Sequence, residues 1–157
     1  MIFDDLVPQE MAVIENAAAR RDCPAGQTIL REGEPGDVFF FILSGRVEVR
    51  KGLKNGRYKS LVELGPCGLF GEVGFLGVPS RTATVVALEP CCLLAFCHAT
   101  FERLTRDHPV IGLKVYRGLA RELARRLARS DEDLKHAIVW ALAGNPQAGI
   151  ATAIRVP

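Results

Sequence analysis

The sequence predicts a mainly β fold with flanking helices, in which the strands form an antiparallel sandwich or roll. Between about residues 22 and 97, short runs rich in β-branched and aromatic residues alternate with glycine-containing turns. Several short strands with regular turn signals are typical of antiparallel β structures. After residue 98, the apolar residues recur instead at helical spacing.

The first predicted element is a short helix from Pro8 to Ala19. Pro8 suits a first helical position, and Met11, Ile14 and Ala18 fall on one face at helical spacing. Strand-like runs follow the helix. In chain order they are Thr28-Ile29-Leu30, Val38 to Leu43, Arg46 to Arg50, Tyr58 to Leu64, Thr82 to Leu88 and Cys91 to Phe96.

Three of these runs allow finer predictions. Asn55-Gly56 separates two of them and is a strong hairpin signal. The run from Arg46 to Arg50 alternates polar and apolar residues, so we expect one face of that strand to be wet. The run from Phe39 to Ile42 does not alternate, and we expect it to be covered on both faces.

Two helices are predicted after the strands. Phe101 and Leu104 mark a short one, which His108-Pro109 ends because the residue before a proline avoids the helical region. A longer helix follows from about Val110 to Val139, with an apolar stripe that we expect to face the core. The stripe comprises Tyr116, Ala120, Leu123, Leu127, Leu134 and Ile138, and a row of arginines lies on the far side: Arg117, Arg121, Arg125 and Arg129.

Length and composition indicate one globular domain. The chain has 157 residues and a formal net charge of +2, which implies no strong attraction to nucleic acid or membrane. We predict one domain over residues 1–138, with the β-roll at about 22–97 and C-terminal helices at about 99–139. Residues 140–157 form a low-charge tail. The acidic N-terminus and the lack of a long apolar run predict a cytoplasmic protein.

The cysteines predict neither a disulfide framework nor a zinc site. Five are present, which is an odd number, and no Cys-x-x-Cys pair occurs. We expect Cys91, Cys92 and Cys97 to be buried, reduced thiols, since they stand in an apolar run. The three histidines are scattered, and we expect them to be structural. No catalytic residue, metal or cofactor is predicted.

One segment, from Phe70 to Val85, combines a glycine turn, a carboxylate and an arginine. Gly71 lets the backbone approach a ligand, and the residues after it can begin a short helix whose N–H groups favour anions. Arg81 supplies a cation that matches a phosphate through two N–H groups. Glu72 supplies an acceptor for a sugar hydroxyl. Together these groups suit a cyclic phosphate diester joined to a ribose.

In full, the segment reads Phe70-Gly71-Glu72-Val73-Gly74, then a short gap, then Arg81-Thr82-Ala83-Thr84. It resembles the phosphate-binding cassette of cyclic nucleotide-binding domains, which occur in cyclic-nucleotide-dependent kinases, gated channels and the bacterial catabolite activator protein. Further motifs of the family appear in order as Glu32-Gly33-Glu34-Pro35-Gly36-Asp37, Ser44-Gly45-Arg46-Val47-Glu48-Val49 and Leu64-Gly65-Pro66-Cys67-Gly68.

The resemblance covers about Phe3 to Leu127. It implies an antiparallel β-roll of the jelly-roll or double-stranded β-helix type, with a short N-terminal helix and C-terminal helices. By resemblance, Glu72 accepts a hydrogen bond from the ribose 2′-hydroxyl and Arg81 pairs with the cyclic phosphate. The implied ligand-binding set is Phe70, Gly71, Glu72, Val73, Gly74, Arg81, Thr82, Ala83 and Val62, with Leu64 also near the sugar or base.

The chain departs from the family pattern at two positions. Ser80 separates Pro79 from Arg81, where the family has the two adjacent, and Gly74 stands in place of the usual alanine. Both changes alter the stiffness of the loop, but neither removes a charged contact. Thr82 does not decide between cyclic AMP and cyclic GMP, because binders of either carry hydroxyls at this place.

Four functions are candidates for a chain with this pattern. The first is a sensor that binds cyclic AMP or cyclic GMP and relays occupancy through its C-terminal helices to an unknown downstream protein or to a second copy in a homodimer formed through the C-terminal helix. In the family that this chain resembles, the last helix often caps the ligand or pairs in a dimer, and Tyr116, Leu119 and Leu123 are candidates for such a lid or seam beside the core-facing interpretation.

The second, a roll that serves as a protein-interaction scaffold without nucleotide, stays open. A transcription factor would need a helix-turn-helix after Ile138, and that stretch shows no such pattern. A cupin-like enzyme would need histidines between Thr28 and Phe96, where there are none. Neither DNA nor a membrane is therefore expected as a partner.

Overall fold

The computed structural model describes residues 5–143, which form two antiparallel sheets with helices before and after them. The strands are β1 Ala19–Cys23, β2 Thr28–Leu30, β3 Phe39–Ser44, β4 Val47–Gly52, β5 Tyr58–Leu64, β6 Leu69–Phe70, β7 Thr84–Ala87 and β8 Cys91–Phe96. The helices are α1 Pro8–Ala17, the one-turn α2 Glu72–Phe75, α3 His98–Asp107 and α4 Pro109–Leu142.

The two sheets have the strand orders β1-β8-β3-β6 and β2-β7-β4-β5. Strand β3 separates two apolar clusters, which explains why the run from Phe39 to Ile42 has no polar residue. Phe39 and Phe41 belong to a cluster shared with the helices, whereas Phe40 and Ile42 belong to the cluster inside the roll. All four are buried, as the sequence predicts. The predicted antiparallel roll with flanking helices is confirmed.

Two strands were missing from the sequence-based prediction. Strand β1 has the largely polar sequence of an edge strand, and it pairs with β8 from Ala19–Ala95 to Cys23–Cys91. Its presence ends α1 at Ala17, two residues before the predicted end. Strand β6 has only two residues, which is too short for any periodicity to be seen.

The predicted hairpin joins β4 to β5. Asn55 and Gly56 have φ of 65° and 72°, the left-handed conformation for which this residue pair is favoured. The prediction of a wet face on β4 is wrong at Glu48, which is only 4% exposed. Glu48 lies between Val86 and Glu63 on the neighbouring strands, so the sheet itself covers it from both sides.

The C-terminal helices divide where the proline predicts, with α3 ending at Asp107 and α4 beginning at Pro109. The face of α4 that enters the core is Ile111, Val115 and Leu119. The prediction that the stripe through Leu127 and Leu134 faces the core is wrong, because these side chains are 64% and 59% exposed. Beyond Leu119, the helix has no buried residue, so the apolar side chains in that part of the helix do not belong to the core.

Three further predictions concern the chain ends, membranes and cysteines. The predicted tail begins inside α4, and its residues from 144 onward lie outside the described part. Within residues 5–143, no helix has both the length and the apolarity to cross a membrane. The cysteines are free, and Cys91 and Cys92 are buried. Burial raises the pKa of both thiols. The prediction that Cys97 is also buried is wrong, because this residue is only partly buried.

Candidate functional site

A cavity of about 550 Å³ lies between the second sheet, the one-turn helix α2 and the middle of α4. It brings together all the residues that the resemblance assigns to the ligand. These are Phe70, Gly71, Glu72, Val73, Gly74, Arg81, Thr82, Ala83, Val62 and Leu64. Helix α4 closes the opposite side with Glu122, Leu123, Arg126, Leu127, Arg129, Ser130 and Asp133.

The tight turn at Gly71 places the backbone at the start of α2 along one side of the cavity. Gly71 has φ of 82°, a conformation that glycine adopts without steric cost. A Cβ at this position would lie 2.8 Å from the carbonyl oxygen of Val38. Glycine therefore lets the chain turn tightly into α2, whose first N–H groups lie beside the cavity.

Arg81 is a buried cation whose hydrogen bonds go to carbonyl oxygens. Its Nη1 donates to the oxygens of Val38 and Gly71 at 2.8 and 3.1 Å. Its Nε is buried and has no hydrogen-bond partner within the described residues. Burial lowers the pKa of Arg81 and the charge of Asp37 opposes this effect, but a guanidinium stays protonated at neutral pH. The charged guanidinium, which lines the cavity, thus has one N–H group without a partner in the described part of the chain.

The turn Glu32–Asp37 holds Arg81 in this position. The N–H of Gly33 donates to the oxygen of Arg81 at 2.9 Å, and the N–H of Arg81 donates to the oxygen of Glu34 at 2.8 Å. A Cβ on Gly36 would lie 2.5 Å from Nη2 of Arg81, so the guanidinium lies against bare backbone there. A Cβ on Gly74 would lie 2.5 Å from the oxygen of Gly36. This close contact explains the glycine where the family has alanine.

Glu72 is a buried carboxylate that already has a cationic partner. It is 2% exposed, and its Oε1 accepts a hydrogen bond of 2.6 Å from Nη1 of Arg126. Burial raises the pKa of Glu72, and the charge of Arg126 opposes the rise. Arg126 also donates to the oxygen of Leu69 at 2.6 Å and to Oε1 of Glu122 at 3.0 Å.

Arg126 is a cavity residue that the sequence did not indicate. In the sequence, it is only the second member of a Glu122–Arg126 pair four residues apart, which is a common stabilising pair on a helix surface. One signal was present: Arg126 lies outside the row formed by Arg117, Arg121, Arg125 and Arg129. No local pattern indicates that it reaches Glu72, 54 residues earlier in the chain.

The wall between β5 and α4 is apolar with a few polar groups. Its apolar side chains are Val49, Leu61, Val62, Leu64, Leu123 and Leu127. Lys59, Thr82, Ser130 and Asp133 add polar groups to the same wall. This composition suits a flat, partly apolar ring with hydrogen-bonding edges. Within residues 5–143, no group of three or more histidine, cysteine, aspartate or glutamate side chains is arranged to hold a metal ion.

Comparison with known proteins agrees with this geometry. The chain is 33% identical to the cyclic AMP receptor protein of Thermus thermophilus over 85% of this chain and 60% of that protein. The crystal structure of the Thermus thermophilus catabolite activator protein superposes with a TM-score of 0.77 at 33% identity, over 87% of this chain and 62% of that one. The chain thus spans about three-fifths of these relatives.

One similar protein is named as an enzyme, and the match covers only a small part of it. Glutaminase 2 of Bradyrhizobium diazoefficiens is 36% identical over 83% of this chain, but the match covers only 20% of that protein. The family model for the cyclic nucleotide-binding domain matches residues 20–108, which include the whole cassette from Phe70 to Thr84. With this match over more than half of its length, the chain belongs to the cyclic nucleotide-binding domain family.

Proposed function

We propose that this chain binds a 3′,5′-cyclic nucleotide, cyclic AMP or cyclic GMP, in the cavity and acts as a regulatory module rather than as an enzyme. One observation carries the proposal. Arg81 is only 7% exposed, and its Nε has no acceptor within the described residues. A buried donor without a partner is costly, and a bound phosphate would supply the acceptor.

The other groups of the cavity fit the rest of the nucleotide. The phosphate lies against Arg81 and the first N–H groups of α2, where the helix end favours an anion. The ribose 2′-hydroxyl donates to the carboxylate of Glu72. The base lies against Val62 and Leu64 on one side and Leu123 on the other, all of which line the cavity. Relatives named for cyclic AMP support this class of ligand.

Calorimetric titration of the purified protein with cyclic AMP and with cyclic GMP tests the proposal. We expect a Kd in the micromolar range or tighter for at least one of them, and the tighter ligand identifies the base. Arg81→Ala should lower the affinity by about a hundredfold or more, since a charged hydrogen bond to phosphate is lost in a buried site. The control is Arg31→Ala, which removes an exposed arginine that pairs with Glu34.

No binding heat with either nucleotide, on folded protein free of co-purified ligand, would exclude the proposal. The retained roll would then be a protein-interaction scaffold. Equal losses in Arg81→Ala and Arg31→Ala would also contradict it, since the affinity would then depend on overall charge rather than on the buried guanidinium.

We further propose that ligand occupancy is relayed to the C-terminal helices through three aromatic rings. The ring of Phe75, in α2, contacts that of Phe101, in α3, at a centroid distance of 5.3 Å. Phe101 contacts Tyr116, in α4, at 5.0 Å. Because α2 binds the phosphate in this proposal, a shift of α2 moves the packing of both helices.

The single tryptophan, Trp140 near the end of α4, provides a fluorescence reporter for this relay. We expect ligand to change its emission in the wild type, and Phe101→Leu to reduce that change at saturating ligand. A full fluorescence response in Phe101→Leu would show that the rings do not carry the signal.

The proposed partner is a second copy of this chain, bound through a row of exposed residues on α4. Leu113, Ala120, Leu127 and Leu134 recur every seven residues, the repeat of a coiled-coil contact, and all four are exposed. Sedimentation equilibrium should show a dimer that Leu134→Lys weakens. The control, Ala128→Lys, adds the same charge on another face of the helix. A monomer at micromolar concentration, or equal effects of both variants, would contradict the dimer.

We place the protein in the cytoplasm. The free thiols support this location, because exposed thiols persist where the compartment is reducing. All five cysteines are free, and one of them, Cys67, is exposed. Fractionation of cells that express a tagged full-length chain tests this, and recovery outside the cytoplasm would contradict it.

A further inference from the structure

Lys51, at the end of β4, reaches the segment that follows Arg81. Its Nζ donates to the carbonyl oxygen of Thr82 at 2.7 Å and pairs with Oε1 of Glu32 at 2.8 Å. Lys51 does not line the cavity, whereas Thr82 does. Its ammonium group therefore holds the outer side of a residue whose inner side faces the proposed ligand.

Glu32 connects three separate segments of the chain. Its Oε2 accepts from the N–H of Gly52 in the β4–β5 hairpin at 2.8 Å, while its own N–H donates to Oγ1 of Thr84 at 3.0 Å. Lys51 and Gly52 bond to the two ends of the same carboxylate, and both lower the pKa of Glu32. The Glu32 carboxylate thus ties the hairpin to the turn that also holds Arg81.

These contacts act on a segment that lies outside the regular strands. Residues 81–83 precede β7, which begins at Thr84, so they lie outside the named strands. The Glu32–Asp37 turn bonds both the N–H and the oxygen of Arg81. The oxygen of the next residue, Thr82, is held by Lys51. The orientation of the Thr82–Ala83 peptide is therefore set by a side chain from the hairpin.

The planar peptide transmits this constraint to the cavity. In a trans peptide, the C=O and the following N–H point in opposite directions, and the described chain has no cis peptide bond. With the oxygen of Thr82 drawn outward to Lys51, the N–H of Ala83 points the other way. Ala83 lines the cavity together with Arg81, so an N–H that points away from Lys51 would be available to a ligand on that side.

We propose that Lys51 and Glu32 form a clamp that positions Thr82 and Ala83 for the ligand without touching it. This inference rests on the proposed function for its effect on affinity, but not for its effect on the ligand-free backbone. Both residues are positioning residues, since each would act on the nucleotide only through the backbone of residues 82–84.

The clamp and a simple charge effect predict opposite results for one variant. Glu32→Gln removes a negative charge near a site for an anion, so long-range electrostatics predicts tighter nucleotide binding. The clamp predicts weaker binding, because the amide holds the Lys51 ammonium less well. The sign of the change in Kd therefore distinguishes the two explanations.

Calorimetry with the tighter of cyclic AMP and cyclic GMP measures this sign on the full chain. We expect Lys51→Met to weaken binding by about threefold to tenfold, as for loss of one partly exposed charged hydrogen bond. Lys51→Arg should restore affinity to within about twofold, since its N–H groups reach the same two oxygens. The control is Lys54→Met, which removes a cation from the same hairpin and should leave the Kd unchanged.

Hydrogen exchange of the ligand-free protein gives a second readout. Peptides covering residues 80–84 should exchange faster in Lys51→Met than in the wild type or Lys54→Met, while peptides from α3 stay unchanged. Unchanged exchange in Lys51→Met, or tighter binding in Glu32→Gln, would overturn the clamp. If the wild type binds neither nucleotide, the proposed function fails, and the exchange result alone decides the clamp.

Discussion

Two of the arginines that line the cavity, Arg81 and Arg126, have opposite surroundings. Arg81 belongs to the roll, donates to carbonyl oxygens and keeps a buried Nε without a partner within residues 5–143. Arg126 belongs to α4 and pairs with the carboxylates of Glu72 and Glu122. One guanidinium is a cation available to an anion, and the other is already neutralised by its own chain.

This difference separates a preformed side of the cavity from an adjustable one. Arg81 is enclosed by backbone atoms of the Glu32–Asp37 turn and of Gly71, all of which belong to the roll. The α4 side depends on side-chain ion pairs at Glu72, and it packs on the core only as far as Leu119. We therefore expect ligand to bind on a rigid roll and to act on a helix that can shift.

The largest expected effect comes from the same substitution at both arginines. Arg81→Met should weaken nucleotide binding by about a hundredfold, whereas Arg126→Met should weaken it by about tenfold, because its charge is largely used within the protein. Calorimetry under one set of conditions gives both values. Equal losses of affinity would show that the two arginines contribute alike to binding, which would contradict the distinction between an available and an already paired guanidinium.

A smaller effect is expected from displacing Arg81 without removing it. A Cβ in Gly36→Ala would overlap the guanidinium of Arg81, which must then shift. Gly36 does not have a positive φ, so the substitution strains no backbone. We expect about a tenfold loss of affinity, the loss of one charged hydrogen bond, with little change in Tm. Gly65→Ala is the control, since its nearest contact is 3.7 Å away. Unchanged affinity in Gly36→Ala would contradict close packing of Arg81.

The smallest expected effect is on pH dependence. Burial raises the pKa of Glu72 above its ordinary value of 4.5, so the carboxyl takes up a proton at a higher pH than an exposed one. As the pH falls through this raised pKa, the ribose loses its charged acceptor, and affinity should fall by about threefold. Calorimetry at several pH values, compared with Glu72→Gln, measures this effect. An equal pH dependence in Glu72→Gln would assign it to another group.

Protonation of Glu72 should affect stability and nucleotide affinity in opposite directions: the affinity falls as the pH falls, whereas the free energy of unfolding falls as the pH rises. The folded protein binds the Glu72 proton more tightly than the unfolded chain does, so stability is lost as the pH rises from the ordinary pKa through the raised one. Glu10 and Glu32 have lowered pKa values and act in the other direction. The contribution of Glu72 is therefore the difference in Tm between wild type and Glu72→Gln across this pH range. An equal Tm for the wild type and Glu72→Gln at every pH in this range would contradict a raised pKa of Glu72 in the folded protein.

Local patterns predicted much of the roll and one half of the site. The hairpin at Asn55-Gly56, the covered run from Phe39 to Ile42 and the helix break at Pro109 follow from backbone preferences and burial within a few residues. The cassette from Phe70 to Thr84 also lies in one continuous stretch. Its order in the sequence was therefore enough to identify the residues that line the roll side of the cavity.

By itself, the sequence determined the family motifs, the place of Glu72 and Arg81 within them, and the strand and turn pattern apart from β1 and β6. Only the tertiary structure decided that Arg126 neutralises Glu72, that Lys51 holds Thr82, and that the apolar stripe of α4 stays exposed. The reason is physical. Local propensities act over one turn or one strand pair, whereas these contacts join segments that are distant in the chain. Helical periodicity shows that a face is apolar, but it does not show which surface covers that face.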